Sequence, residues 1–140
     1  MKSAQMFDVT GLVTVVTGGA SGIGLGYAEV MAENGARVFA FDRDEAAIKT
    51  LPASIAGIAA DVTDKAGLER AFAGVVAQTG RIDVVFVNAG IGGGPGWLRA
   101  GTDTRNEERY FEDLPAEQWS QVIATNVTGA FATIQAAARH

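Results

Sequence analysis

Short runs of apolar residues alternate along the chain with stretches whose apolar positions recur every three or four residues. Leu12-Val13-Thr14-Val15-Val16-Thr17 is β-branched and apolar on both faces, the pattern of a strand buried inside a parallel sheet. Ile23, Tyr27, Val30 and Met31 then recur at helical spacing, and Asn34-Gly35 ends that helix. A second strand is predicted over 36–41, and a short helix from Asp44 to about Leu51, stopped by Pro52. A weaker third strand, 55–60, leads to a helix capped by Asp64 that gathers Leu68, Phe72, Val75 and Val76 on one face and ends at Thr79-Gly80. The fourth strand is 82–87.

Segment 88–115 is too long for an ordinary connection and reads as a binding loop, a lid or a disordered segment. The last helix spans about 116–139. Its apolar stripe of Trp119, Val122, Ile123, Val127, Ala130, Phe131 and Ile134 reads as the buried face. There is no repeat, low-complexity tract or linker, so 1–140 is expected to be one domain. The order β-α-β-α-β-α-β-α implies an α/β fold with a parallel sheet and right-handed crossovers.

Composition narrows the function. Hydrophobic residues make up 48% and charged residues 19% of the 140, a globular balance. Net charge is −5 with Lys and Arg scattered, which argues against nucleic-acid binding. No cysteine is present, so thiolate metal sites and cysteine nucleophiles are excluded. No His, Asp and Glu cluster has metal-ligand spacing, and none is expected to hold a metal. The first residues lack the apolar run of a signal peptide, and no run approaches the roughly 18 apolar residues of a membrane span. The expectation is a soluble, cytoplasmic protein without membrane partners. His140, the single histidine, reads as a helix end rather than a base.

Glycine is the outlier, at 18 of 140 residues against a usual share of about 7%. One cluster, Thr17-Gly18-Gly19-Ala20-Ser21-Gly22-Ile23-Gly24, joins the first strand to the first helix. Such a turn lets a pyrophosphate rest on the positive end of the helix while bare backbone approaches it closely. Asp42 closes the second strand, 18 residues beyond Gly24. Its carboxylate suits an adenosine ribose and repels a 2′-phosphate, or it caps the second helix with Glu45. Arg43 beside it could welcome that phosphate, but the balance favours NAD over NADP.

With these residues in place the chain resembles the N-terminal half of a short-chain dehydrogenase/reductase, over nearly its whole length. Thr17, Gly18, Gly22 and Gly24 match the family's Thr-Gly-x-x-x-Gly-x-Gly. Asp61-Val62 matches its Asp-Val, which holds adenine, and Asn88-Ala89-Gly90 its Asn-Ala-Gly beside the cofactor ribose. Asn126 matches the helix asparagine that binds a proton-relay water. The resemblance implies a Rossmann-type doubly wound sheet, here about four strands in the order 3-2-1-4 with helices on both faces. It implies cofactor contacts from Gly18, Ser21, Gly22, Ile23, Gly24, Asp42, Arg43, Asp61, Val62, Asn88, Ala89 and Gly90. Other readings stay open. Asp61 can start the turn before Asp64, Asn88 to Gly90 can be turn chemistry alone, and Asn126 can be structural.

Family catalysis also needs a Ser and a Tyr-x-x-x-Lys after the fourth helix. Four residues after Tyr27 stands Met31, and four after Tyr110 stands Leu114. The serines, Ser3, Ser21, Ser54 and Ser120, all precede Asn126. The expectation is therefore the cofactor-binding half of an NAD-dependent oxidoreductase for a secondary alcohol or ketone. The alternatives are a truncated, non-catalytic NAD-binding module or a non-binding remnant. The stretch after Gly92, with Trp97, Tyr110 and Phe111, is expected either to wall a substrate pocket or to be a surface excursion. An apolar fourth strand left at the sheet edge predicts self-association, as a homo-oligomer, or marginal stability.

Overall fold

The computed structural model describes residues 8–92 and 115–140. Its elements are β1 (Val13–Thr17), α1 (Gly22–Glu33), β2 (Arg37–Asp42), α2 (Glu45–Ile48), β3 (Ile55–Ala59), α3 (Lys65–Thr79), β4 (Val84–Phe86), α4 (Ala116–Ile123), a π-helical segment (Ala124–Gly129) and α5 (Ala130–Ala137). The strands form one parallel sheet in the order β3-β2-β1-β4. In the register Val15 lies beside Phe39 on one side and Val85 on the other. The expected Rossmann-type order and the alternation of strand and helix are therefore observed.

Strands β1 and β2 are buried on both faces, as their unbroken apolar runs require. On one face Phe39, Phe41, Leu68, Phe72 and Val75 pack with Val62, Ala132 and Ala136. On the other, Ala28, Val38, Ala40 and Ile55 pack with Val16, and Leu25, Met31 and Phe86 close the cluster. The helix starts follow the sequence chemistry. Asp44 Oδ1 accepts the Ala46 and Ala47 N–H groups at 2.9 and 3.0 Å, and Asp64 Oδ1 accepts that of Gly67 at 3.0 Å. Gly80, at φ 78°, ends α3.

Two expectations are corrected. The last helix does not bury its bulky stripe: Trp119, Val127, Phe131 and Ile134 are 51–63% exposed, while Val122, Ile123 and Ala130 are half-buried. Its inward face is Thr125, Gly129, Ala132, Thr133 and Ala136, small residues that let the helix lie close against α3. Helix α1 behaves likewise, burying Gly24 and Ala28 while Ile23, Tyr27 and Val30 stay exposed. The fourth strand is also shorter than 82–87. Asp83 Oδ2 takes the Val13 N–H at 2.7 Å, and beyond Phe86 the N–H groups of Asn88 and Ala89 turn to the Thr17 hydroxyl. Among the described residues no helix is long and apolar enough to cross a membrane. The substrate-side expectation for Trp97, Tyr110 and Phe111 lies outside the described residues.

Candidate nucleotide-binding site

The C-terminal ends of all four strands open onto one cleft of about 400 Å³. In an open parallel sheet ligands bind at this end, where the crossovers diverge. Gly18 and Gly22, from the turn after β1, line it with positive φ of 65° and 52°. A methyl group on Gly24 would collide with the Gly18 carbonyl and come within 2.5 Å of Asn88 Nδ2. The turn therefore keeps a bare backbone at the mouth of α1.

The N-terminus of α1 is also left open. Ser21 is its N-cap in extended conformation, makes no side-chain capping bond, and no acidic residue follows in the first turn. The unpaired N–H groups and the helix dipole remain for an anion, unlike the Asp-capped starts of α2 and α3.

Asp42 ties this turn to the end of β2. Its Oδ2 accepts the Ala20 N–H at 3.1 Å and its Oδ1 the Asp44 N–H at 3.1 Å. Asp44, not Asp42, caps α2. Each Asp42 oxygen has spare acceptor capacity for a ribose hydroxyl. Arg43 lines the same wall.

At the end of β3, Asp61 Oδ1 accepts from both the Thr63 N–H, at 2.8 Å, and the Thr63 hydroxyl, at 2.7 Å. Partial burial pushes its carboxyl up, but the two Thr63 hydrogen bonds and the Arg43 charge outweigh this and hold it below the ordinary carboxylate value. Val62, 7% exposed and part of the core cluster, lines the cleft. At the end of β4, Asn88 Nδ2 donates to the carbonyls of Thr17 and Gly18 at 3.1 and 3.3 Å. This locks the fourth-strand loop against the glycine turn. Ala89 and Gly90 complete the wall.

All twelve cofactor-contact residues expected from the sequence thus meet in one cleft, with Ala60, Ile91 and Thr125 in addition. Thr125 escaped the sequence reading because it stands off the bulky stripe, and that stripe marked the wrong face. Asn126 is brought to the cleft rim rather than the core. It is exposed, and its amide is bonded to the backbone of Ile91. The bare glycine turn, the open helix start and the carboxylate of Asp42 fit a dinucleotide.

A family model described as short chain dehydrogenase matches residues 12–140. The chain belongs to the short-chain dehydrogenase/reductase family. It is 33% identical over 141 residues to the short-chain dehydrogenase/reductase PhomF of Diaporthe leptostromiformis, covering 96% of this chain and 48% of that protein. It resembles the crystal structure of a short-chain type dehydrogenase/reductase from Mycobacterium marinum, with a TM-score of 0.82 and 30% identity. That match covers 99% of this chain and 53% of the other. It also resembles NAD⁺-bound xylitol dehydrogenase, with a TM-score of 0.80 and 29% identity over 94% of this chain and 48% of that one. The match spans between 31% and 48% of the length of the curated relatives.

Proposed function

We propose that this chain holds NAD in the cleft and forms the nucleotide-binding half of an oxidoreductase for secondary alcohols and their ketones. The observation that carries the reading is the bond from Ala20 N–H to Asp42 Oδ2, which sets a carboxylate beside the glycine turn where a ribose would follow the pyrophosphate. When bound, nicotinamide supplies the hydride donor or acceptor. The residues of this chain bind and orient: the turn and the α1 start take the phosphates, Asp42 the adenosine ribose, and Asp61 and Val62 the base. Asn88 to Gly90 lie against the second half of the cofactor.

Two findings support the chemistry. The family is one of dehydrogenases, and a structural neighbour is an NAD⁺-bound polyol dehydrogenase. A Ser and Tyr-x-x-x-Lys at family spacing are not among the 140 residues. For these residues by themselves, that favours NAD binding without turnover. The relay role that the resemblance implies for Asn126 belongs to the same proposal. So does self-association, for which the exposed Trp119, Val127, Phe131 and Ile134 supply apolar surface.

Calorimetric titration with NAD⁺ and NADP⁺ tests the cofactor assignment. Wild type is expected to bind NAD⁺ at least about tenfold more tightly, because Asp42 repels a 2′-phosphate and bonds a free hydroxyl. Asp42→Ala narrows that gap. Tighter binding of NADP⁺, or no binding of either, overturns the reading.

A further inference from the structure

We propose that Thr125 is a further nucleotide-contacting residue, its hydroxyl bonding the base end of the dinucleotide, and that Gly129 is the positioning residue that brings it there. The inference rests on the reading of the cleft as a dinucleotide site and extends it to two residues that reading does not use.

Thr125 is 9% exposed and lines the cleft. Helix hydroxyls elsewhere in the fold bond back to the carbonyl four residues earlier. Ser120 does so to Ala116, Thr133 to Gly129 and Thr79 to Val75, each at 2.8 Å. The Thr125 hydroxyl makes no such bond and has no partner among the described residues. Among the described residues the fully enclosed hydroxyl without a partner is that of Thr14, so the Thr125 hydroxyl keeps an open side, and with no partner in the protein it is free to bond what enters the cleft.

The backbone explains how a threonine comes to stand there. Thr125 sits in the π-helical segment, a single widened turn of the kind often found at functional sites. At the end of that turn Gly129 lies against Val62. A Cβ on Gly129 would stand 2.6 Å from Val62 Cγ2 and 3.1 Å from its Cβ. The missing methyl lets the helix close onto the loop after β3, so Thr125 and Val62 wall the same end of the cleft. With the pyrophosphate on the glycine turn and a ribose at Asp42, that end receives the base. A purine offers ring nitrogens that accept and an amino group that donates, and a hydroxyl can serve either.

Titrating AMP and NAD⁺ into wild type, Thr125→Val, Thr125→Ser and Gly129→Ala tests this, with thermal transitions in parallel. Thr125→Val keeps the shape and loses the hydroxyl. It is expected to weaken both ligands about fivefold with the transition unchanged, while Thr125→Ser stays within about twofold. Gly129→Ala is expected to weaken both. Unchanged AMP affinity in Thr125→Val overturns the proposal for the hydroxyl, whether or not Gly129→Ala folds. Wild-type affinity in Gly129→Ala overturns the positioning role. If wild type binds neither AMP nor NAD⁺, the dinucleotide reading itself fails and this inference falls with it.

Discussion

The side chain of Asn126 holds both polar backbone atoms of Ile91: its Oδ1 accepts the Ile91 N–H at 2.9 Å and its Nδ2 donates to the Ile91 carbonyl at 2.9 Å. The pair fixes which end of the amide is oxygen, because one partner only donates and the other only accepts. It fastens the segment after β4 to the π-helical turn, across 35 residues of sequence. With Asn88 fastened to Thr17 and Gly18, the Asn88–Ile91 segment is held at both ends beside the cleft.

Removing that clasp is therefore expected to act on binding as well as stability. Asn126→Ala loses two partly exposed hydrogen bonds, a cost of about 1 kcal/mol, and lowers NAD⁺ affinity by releasing the loop. Asn126→Asp keeps the acceptor but not the donor, and sets a carboxylate against the Ile91 carbonyl. It is expected to be no better than Asn126→Ala. Chemical denaturation with calorimetry checks both, and wild-type affinity in Asn126→Ala would contradict the clasp.

Thr17 is fully buried, and its hydroxyl is a three-way node. It accepts the Asn88 and Ala89 N–H groups at 3.1 and 3.2 Å and donates to the Phe86 carbonyl at 3.3 Å. Thr17→Val is nearly isosteric yet strands two amide groups, so unfolding free energy is expected to fall by about 2–4 kcal/mol. Thr17→Ser keeps the node and is expected to lose far less. Equal stability of Thr17→Val and wild type would show that water or other groups satisfy those amides.

Gly24→Ala drives a methyl into the Gly18 carbonyl and the Asn88 amide. Backbone on both sides of the cleft must move to accept it. NAD⁺ affinity is expected to fall at least about tenfold, or 1.4 kcal/mol. Gly26→Ala on the same helix meets nothing within 4 Å and serves as the control, with affinity kept. A Gly24→Ala variant that binds as wild type does would contradict the close approach.

Asp61 gives a pH dependence of known sign. Its carboxyl is held below the ordinary value of 3.8, because the Thr63 bonds and the Arg43 charge outweigh partial burial. A lowered folded value contributes stability that is present above pH 3.8 and lost as pH falls through the lower value. Asp61→Asn keeps an oxygen for Thr63 but no charge. The thermal margin of wild type over this variant is expected to hold near neutral pH and shrink below 3.8. A margin that persists in acid would assign the stabilisation to something other than ionisation.

Strands and caps were legible because local chemistry decides them. The β-branched run at 13–17 and the apolar run at 38–41 suit a strand covered on both faces, and Asp44 and Asp64 cap helices using atoms within three residues. The cleft was legible for a similar reason: Gly18, Asp42, Asp61 and Asn88 each stand at the end of a strand, and parallel strands bring those ends together. Helix orientation was not. Bulky apolar residues at helical spacing show that a helix forms but not which side packs. Here Gly129, Ala132 and Ala136 allow a closer approach than Phe131 or Ile134 would. The π turn was equally hidden, since no residue type demands it, and Thr125 was hidden with it.

The measurement that tests the site most directly is the change in backbone amide NMR signals as NAD⁺ is added to the isotopically labelled protein. The account predicts the largest shifts at Gly18 to Gly24, Asp42, Arg43, Asp61, Val62, Asn88 to Ile91 and Thr125, with residues 65–80 nearly still. No shifts, or shifts centred away from the strand ends, would contradict it.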